Sequence, residues 1–244
     1  MKRALAAAAF VAAAGPTWAA DLPQPAPPPA YVPVIAPVYN WGGIYFGING
    51  GYGFGSSNWT DPNNFSGLGS TGDFNMSGFV VGSTLGANIQ FDAFVLGVEG
   101  DFDYAGLQGT SSSAFCGAVG FGAAECETKD TWLGTFRGRV GYAVDRVLFY
   151  GTGGGAFGNV ITGVAGNFTT STKAGWTAGA GVEAAFADNW TARIEYLYVD
   201  LLNASCTTSA NCGQDTGLAG PFPANDTIKF NASLIRLGVD YKFR

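Results

Sequence analysis

The chain has 244 residues, of which 12% are charged, 47% are hydrophobic and 38 are glycines. This length suits one domain, and frequent glycine with few charges describes neither a helical bundle nor a disordered chain. No apolar stretch after the N-terminus approaches the roughly 18 residues that a membrane-spanning helix needs, and the excess of acidic residues argues against nucleic acid as a partner.

Residues 1–19 have the pattern of a secretory signal peptide. Lys2 and Arg3 form a basic start, an apolar run extends from Ala4 to Ala14, and Thr17-Trp18-Ala19 offers small residues for cleavage after Ala19. Removing the two basic residues leaves 12 − 2 = 10 basic against 18 acidic residues, a net charge of −8. The sequence therefore predicts an exported protein with an acidic mature chain.

Residues 20–40 contain most of the 11 prolines, including Pro27-Pro28-Pro29. Such a composition predicts an extended periplasmic tether of polyproline type that lies outside any core. A docking segment for a periplasmic partner is the alternative interpretation.

From Trp41 onward, hydrophobic and polar residues alternate, which predicts β-strands and one domain over 41–244. In the fifth segment the apolar face begins with Leu148 and Tyr150 and then gives way to glycines. The eight alternating segments are 42–55, 77–89, 93–106, 131–143, 147–160, 174–187, 190–200 and 227–243.

The connections between these segments alternate in length. Short connections lie near 90–92, 145 and 188–189, whereas long polar connections lie near 56–75, 107–129, 161–172 and 201–226. Tight periplasmic turns and longer outer loops are typical of outer-membrane barrels. We therefore predict an all-β fold, an eight-stranded antiparallel up-and-down transmembrane β-barrel.

Alternation alone does not say which face is inside, because a soluble lipocalin-like barrel would point its apolar face inward. Three features favour the membrane barrel. The apolar face is dense in aromatic residues near strand ends, the polar face carries few and nearly balanced charges, and its glycines leave room for long side chains in a narrow lumen.

The charges of the polar face predict a paired network inside the barrel, since buried charges are costly unless they are paired and hydrogen-bonded. Near the strand ends, exposure to water is an equally good interpretation for Asp103 and Lys242. The predicted lumen charge network is Glu99, Asp101, Asp103, Arg137, Arg139, Glu183, Arg193, Glu195, Arg236, Asp240 and Lys242.

The four cysteines predict disulfides, because their number is even and the chain is exported. Three connectivities exist, and four unpaired thiols are the alternative. We favour Cys116–Cys126 and Cys206–Cys212, since each pair lies within one polar loop.

Histidine is absent, which removes the commonest general base and the usual zinc ligand. We predict no catalytic residues, no metal and no cofactor.

Several motifs resemble a known family. Ala20-Asp21-Leu22-Pro23 followed by Trp41-Gly42-Gly43-Ile44-Tyr45, Tyr150-Gly151-Thr152-Gly153-Gly154 and the closing segment 235–243 are similar to those of small alphaproteobacterial outer-membrane proteins. These include the RopB-like major surface proteins of rhizobia and brucellae. The resemblance covers nearly the whole mature chain, and it implies an OmpA-like barrel inserted by the outer-membrane assembly machinery.

The resemblance also implies that the closing segment is the assembly signal, carried by Leu237, Val239, Tyr241 and Phe243. One departure is Arg244, since the family usually stops at the aromatic residue. If the signal needs a terminal phenylalanine, insertion is expected to be slower.

The predicted function is a structural, surface-exposed role in the outer membrane, with the lumen filled by the charge network. One alternative is a small non-specific pore, motivated by the glycines on the polar face. The second alternative is a surface binding module that acts through disulfide-tied loops. The expected partners are outer-membrane lipids, lipopolysaccharide and the assembly machinery, and self-association stays open.

Overall fold

The computed structural model describes residues 39–60, 69–113, 125–164, 167–206 and 226–243. The predicted signal peptide and almost all of the predicted tether lie outside these residues. In the part of the chain that the structure describes, no helix has the length and apolar character needed to cross a membrane.

Eight antiparallel strands close into a barrel in which each strand pairs with its neighbours in sequence and β1 pairs with β8. This arrangement confirms the predicted all-β fold and the strand number. The strands are β1 (Gly43–Thr60), β2 (Ser70–Phe91), β3 (Phe94–Ser111), β4 (Cys126–Val144), β5 (Val147–Val164), β6 (Asn167–Ala185), β7 (Trp190–Cys206) and β8 (Asp226–Phe243).

The tight turns lie where the sequence predicts them. Asp92 and Asp145 have φ angles of 53° and 51°, in the left-handed region that aspartate tolerates better than most residues. The third turn, between β6 and β7, is held by hydrogen bonds from the backbone N–H groups of Phe186 and Ala187 to the carbonyl of Trp190.

The strands extend further outward than predicted. β2 begins at Ser70, and β5 and β6 occupy most of the predicted loop at 161–172. The reason is that polarity reverses along a strand, because its apolar residues lie on the inner side above the membrane and on the outer side within it. In β8, Ile228, Phe230, Ala232 and Leu234 are buried inside the barrel, whereas below them Ile235 and Leu237 face outward. In β2, where the predicted segment begins at 77, Phe74 and Met76 are likewise buried, so the outward apolar pattern ends there although the strand continues.

The wall divides into two sheets at its outer end. β2–β3 pairing ends at Ser77↔Gln108 and β6–β7 pairing ends at Gly175↔Leu201, whereas the other described pairs continue to the outer ends of their strands. The outer part consequently consists of the sheets β7-β8-β1-β2 and β3-β4-β5-β6. The interior between them is apolar.

Two levels of aromatic residues border the apolar outer surface. At the outer level, Phe102 stacks on Trp132 and Trp176 contacts Tyr198, and at the inner level Phe94 packs against Tyr142. The stretch from Trp132 to Tyr142 has 11 residues, which matches the ~9–11 residues of a tilted membrane-spanning strand. These levels mark the membrane boundaries.

One face assignment was wrong. Leu148 and Tyr150 lie inside the barrel, and the outward residues of β5 include Phe149 and Phe157. The two inward residues are apolar because they belong to a hydrophobic closure at the periplasmic end. Because they are apolar, the alternating pattern wrongly predicted that they belong to the lipid-facing side of β5.

Candidate functional site: the barrel interior

The predicted charged residues lie inside the barrel, and Lys242 lies at its periplasmic end. All eleven have at most 7% of their surface exposed, including Asp103 and Lys242, for which the sequence left exposure to water open. Their strands alternate between lipid and lumen, so the inward positions can hold charged groups, which are stable there when other inward groups pair with them.

Arg137 is the centre of the network. Its Nη2 lies 2.5 Å from Asp101 Oδ2 and also contacts Glu99. Its Nη1 donates to Glu195 Oε1 at 3.1 Å, and its Nε donates to Thr135 Oγ1 at 3.1 Å. One buried guanidinium thus joins carboxylates from β3 and β7, which uses the planar fork of arginine.

Arg236 and Arg193 extend the network around the barrel. Arg236 Nη1 lies 2.7 Å from Asp103 Oδ2, and its Nη2 lies 2.5 Å from Glu195 Oε2. Arg193 Nη1 lies 2.7 Å from Glu99 Oε2. Each of these carboxylates therefore has an arginine within ion-pair distance.

Arg139 leads from the network toward the periplasmic end. It pairs with Glu183 and donates to the hydroxyl of Tyr45 at 3.0 Å. Tyr45 in turn donates to Glu99 Oε2 at 2.7 Å. Tyr45 is a functional residue that the sequence analysis missed, although its position between the outward residues Ile44 and Phe46 could have shown that it points inward.

Other hydroxyl groups complete the network, and none of them is among the site residues predicted from the sequence. Thr84 and Thr135 each donate to Asp101 at 2.7 Å, and Thr191 donates to Glu183 at 2.6 Å. Tyr150 donates to Glu195 at 3.1 Å. Threonine is common in strands for its shape alone, so its type gave no signal for this role.

Glycines make the space that these long side chains occupy. A Cβ at Gly86 would overlap the ring of Tyr45, one at Gly181 would lie 2.5 Å from the hydroxyl of Tyr150, and one at Gly238 would lie 2.8 Å from Arg193 Nε. The space beside these inner-face glycines is thus occupied by neighbouring side chains rather than left open.

The periplasmic end is closed by residues that precede β1. The ring of Tyr39 packs against Trp41 with centroids 4.9 Å apart, and the ammonium of Lys242 lies 4.3 Å from the Tyr39 centroid and contacts the carbonyl of Asn40. Trp41 Nε1 donates to the carbonyl of Asp145 at 3.3 Å. Tyr39 falls within the predicted tether, yet it packs on the barrel. The buried apolar cluster here is Tyr39, Trp41, Val95, Leu148, Tyr150 and Ala185.

The outer end of the lumen contains a larger apolar cluster. Trp59 is buried in it and donates its Nε1 to Thr128 at 3.1 Å. The sequence alone does not predict this layer, because its alternation predicts a polar residue at every inward position. The members are Trp59, Phe74, Met76, Val80, Ala105, Leu107, Cys126, Leu133, Ala156, Val160, Leu197, Val199, Leu201, Ile228, Phe230, Ala232 and Leu234.

Asp130 is a buried carboxylate beside this outer cluster. It lies outward of Trp132 and hence beyond the membrane-spanning part of β4. Only 1% of it is exposed. Burial away from water raises the pKa of the Asp130 carboxyl to about 7.

Cys126 lies at the outer start of β4, where it is buried and disulfide-bonded. Its proposed partner Cys116 lies outside the described residues, as does Cys212, so both pairings stay predictions. Within the described ranges, no group of three or more acidic, cysteine or histidine side chains is arranged to hold a metal ion.

The predicted assembly signal forms the membrane-facing side of β8. Leu237, Val239, Tyr241 and Phe243 are exposed outward, and their strand pairs with β1 on one side and β7 on the other. Tyr241 contacts the rings of Trp190 and Phe243. The last strand thus closes the barrel.

Comparisons with known proteins agree with this architecture. Residues 4–243 match the family model described as the outer membrane protein beta-barrel domain. The chain is 37% identical over 228 residues to the 31 kDa outer-membrane immunogenic protein of Brucella melitensis, which covers 86% of this chain and 88% of that protein. It is 30% identical to the 25 kDa outer-membrane immunogenic protein of Brucella canis, with 98% of this chain and 96% of that protein covered.

The 22 kDa outer membrane protein of Rhizobium leguminosarum bv. viciae is a further relative, 35% identical over 68% of this chain and 67% of that protein. These relatives are named as outer-membrane proteins, and this chain has the apolar surface and the closed wall that such a location requires. The protein is therefore located in the outer membrane, and the chain belongs to the outer-membrane β-barrel family, among its small alphaproteobacterial members.

Proposed function

We propose that this protein is a structural component of the outer membrane whose barrel does not conduct solutes. The observation that carries the proposal is the layered filling of the lumen. An apolar closure at the periplasmic end, a charge network in the middle and an apolar cluster at the outer end follow one another along the barrel axis.

Each layer opposes conduction for a different physical reason. Side chains of the charge network are buried and engaged with one another, so a passing ion would have to displace ion pairs. The apolar layers offer an ion no replacement for its water shell. An eight-stranded barrel is also narrow enough for side chains to fill it.

A planar-bilayer recording on the refolded full-length protein tests the proposal, with a general porin as the positive reference. We expect no reproducible conductance steps from the wild type. Steps that change with Arg193→Ala, but not with the exposed control Arg146→Ala, would establish the pore function instead. Arg193 is buried in the network, whereas the side chain of Arg146 is 48% exposed at a periplasmic turn.

The proposal also includes lipid and lipopolysaccharide as the partners of the apolar wall, and the assembly machinery as the partner of β8. It includes no catalytic step, because the buried acidic and basic groups of the described lumen act on one another. Phe243→Asp should delay membrane insertion, measured as accumulation of unfolded protein in the periplasm. Normal insertion of this variant would show that the assembly machinery does not recognise Phe243 of β8.

A further inference from the structure

The outer part of β6 has an edge that no described strand covers. β6–β7 pairing stops at Gly175↔Leu201. Beyond that point the segment Asn167–Ala174 pairs only with β5, and the end of β7 pairs only with β8 through Ala204↔Ile228 and Cys206↔Asp226. The backbone of Asn167–Ala174 therefore presents one row of N–H and C=O groups without a described strand beside it.

This free edge begins where the membrane ends. Trp176, one residue below Gly175, contacts Tyr198 in the outer aromatic level. Unpaired backbone groups are not tolerated in hydrocarbon, where no water can satisfy them. The edge lies above that level, in the layer that water and extracellular molecules reach.

The second gap in the wall, between β2 and β3, differs from this one. There the strands stay in contact beyond their last pair, since a Cβ at Gly109 would lie only 2.5 Å from the carbonyl oxygen of Asn75. Beyond Gly175, β6 has no backbone pairing with β7 among the described residues.

The sequence of the edge suits strand pairing. Thr170-Ser171-Thr172-Lys173-Ala174 contains no proline, and the β5–β6 ladder has no register shift. Proline, bulges and charges are the devices that protect an edge from pairing, and only Lys173 supplies one here. Threonine favours extended backbone.

Lys173 supplies a preference for charge. Its side chain is partly exposed and forms no ion pair with a described carboxylate. An acidic residue in an incoming strand would therefore meet an available ammonium group.

From this geometry we propose that Asn167–Ala174 binds an extended segment of another polypeptide at the cell surface by β-strand addition. The row of backbone donors and acceptors selects an extended peptide, and Lys173 favours one with an acidic residue opposite it. This interaction goes beyond the structural role, since the lumen has no part in it.

The test uses the full-length protein refolded in detergent micelles. The probe is a fluorescent heptapeptide of alternating threonine and valine with a central glutamate, and the matched control has N-methyl groups on every second residue. We expect the probe to bind and to slow hydrogen exchange of the amides in Thr170–Ala174. The N-methylated peptide should not bind, because it lacks the donors along one edge. Lys173→Ala should weaken probe binding roughly two- to fivefold.

Adjacent proline variants provide a second test, since successive N–H groups of a strand point to opposite sides. Of Ser171→Pro and Thr172→Pro, one removes an N–H from the β5 ladder and the other removes an N–H from the free edge. One variant should lower the unfolding midpoint, and the other should keep most of the stability and lose the probe.

Four results would overturn the proposal. They are full protection of the edge amides in the free protein, equal binding of the N-methylated peptide, protection that rises with protein concentration alone, and protection by lipopolysaccharide oligosaccharide but not by the peptide. The third result would assign the edge to a second copy of this chain, and the fourth to a saccharide.

Discussion

Replacing Arg137 by leucine tests whether the charge network stabilises the barrel. The variant leaves Glu99, Asp101 and Glu195 without their common partner, but each keeps another arginine, such as Arg236 Nη2 at 2.5 Å from Glu195. Breaking a buried ion pair costs about 3–5 kcal/mol. Because the carboxylates keep second partners, we expect the lower end, a loss of about 3 kcal/mol in the free energy of unfolding.

The assay is urea unfolding of the refolded protein in detergent, followed by tryptophan fluorescence and by the heat-dependent shift in gel mobility. The matched control is Arg146→Leu, at an exposed periplasmic turn where the ion pair with Asp188 is 3.6 Å long. The control should lose less than about 1 kcal/mol. Adding Glu99→Gln to Arg137→Leu should recover part of the loss, because it restores the charge balance. Equal midpoints for the variants at 137 and 146 would refute the reasoning that the lumen charges are buried and paired.

Three further predictions concern other layers of the barrel. Because the folded protein holds a proton on Asp130 up to a pKa of about 7, stability should fall as the pH rises from about 4 to about 7, by roughly 4 kcal/mol. Asp130→Asn should remove this part of the pH dependence. If the urea midpoint changed between pH 4 and pH 8 by the same amount in the wild type and in the variant, the prediction would be contradicted. Phe136→Arg, on the lipid-facing side of β4, should cost roughly 2–4 kcal/mol and block insertion, whereas Thr172→Arg, above the membrane, should insert normally. Gly86→Val should hinder folding because its side chain would occupy the space of the Tyr45 ring. A normal heat-dependent gel shift for that variant would show that the lumen can rearrange.

The sequence predicted the membrane-spanning half of the fold well, for a physical reason. Between the aromatic levels, lipid demands apolar residues outside and the narrow lumen demands matched polar residues inside. Residues such as Phe136 and Arg137 therefore alternate in one clear phase. The same constraint predicted the inward position of the charged residues, because a charge facing lipid is costly.

Above the membrane this constraint ends. The apolar residues Leu234 and Ile228 face inward and the charged Lys229 faces water, whereas within the membrane the charged residues face inward and the apolar residues face outward. Hydroxyl partners such as Thr84 and Tyr45 could not be ranked from sequence, because their hydrogen bonds depend on which strands face each other across the lumen. The open edge of β6 depends on the inter-strand register, which a single strand pattern does not contain.

Between Leu234 and Ile235, the apolar residues of β8 change from the inner to the outer side of the strand, and this change determines how the barrel sits in the bilayer. A shift outward would bring lipid-facing side chains such as Ile235 into water, and a shift inward would bring Asn231 and Lys229 into hydrocarbon. Both displacements cost free energy, so this reversal of polarity along β8 fixes the depth at which the protein sits in the bilayer. Surface features above it, including the exposed edge of β6, are consequently held at a constant distance from the lipid headgroups.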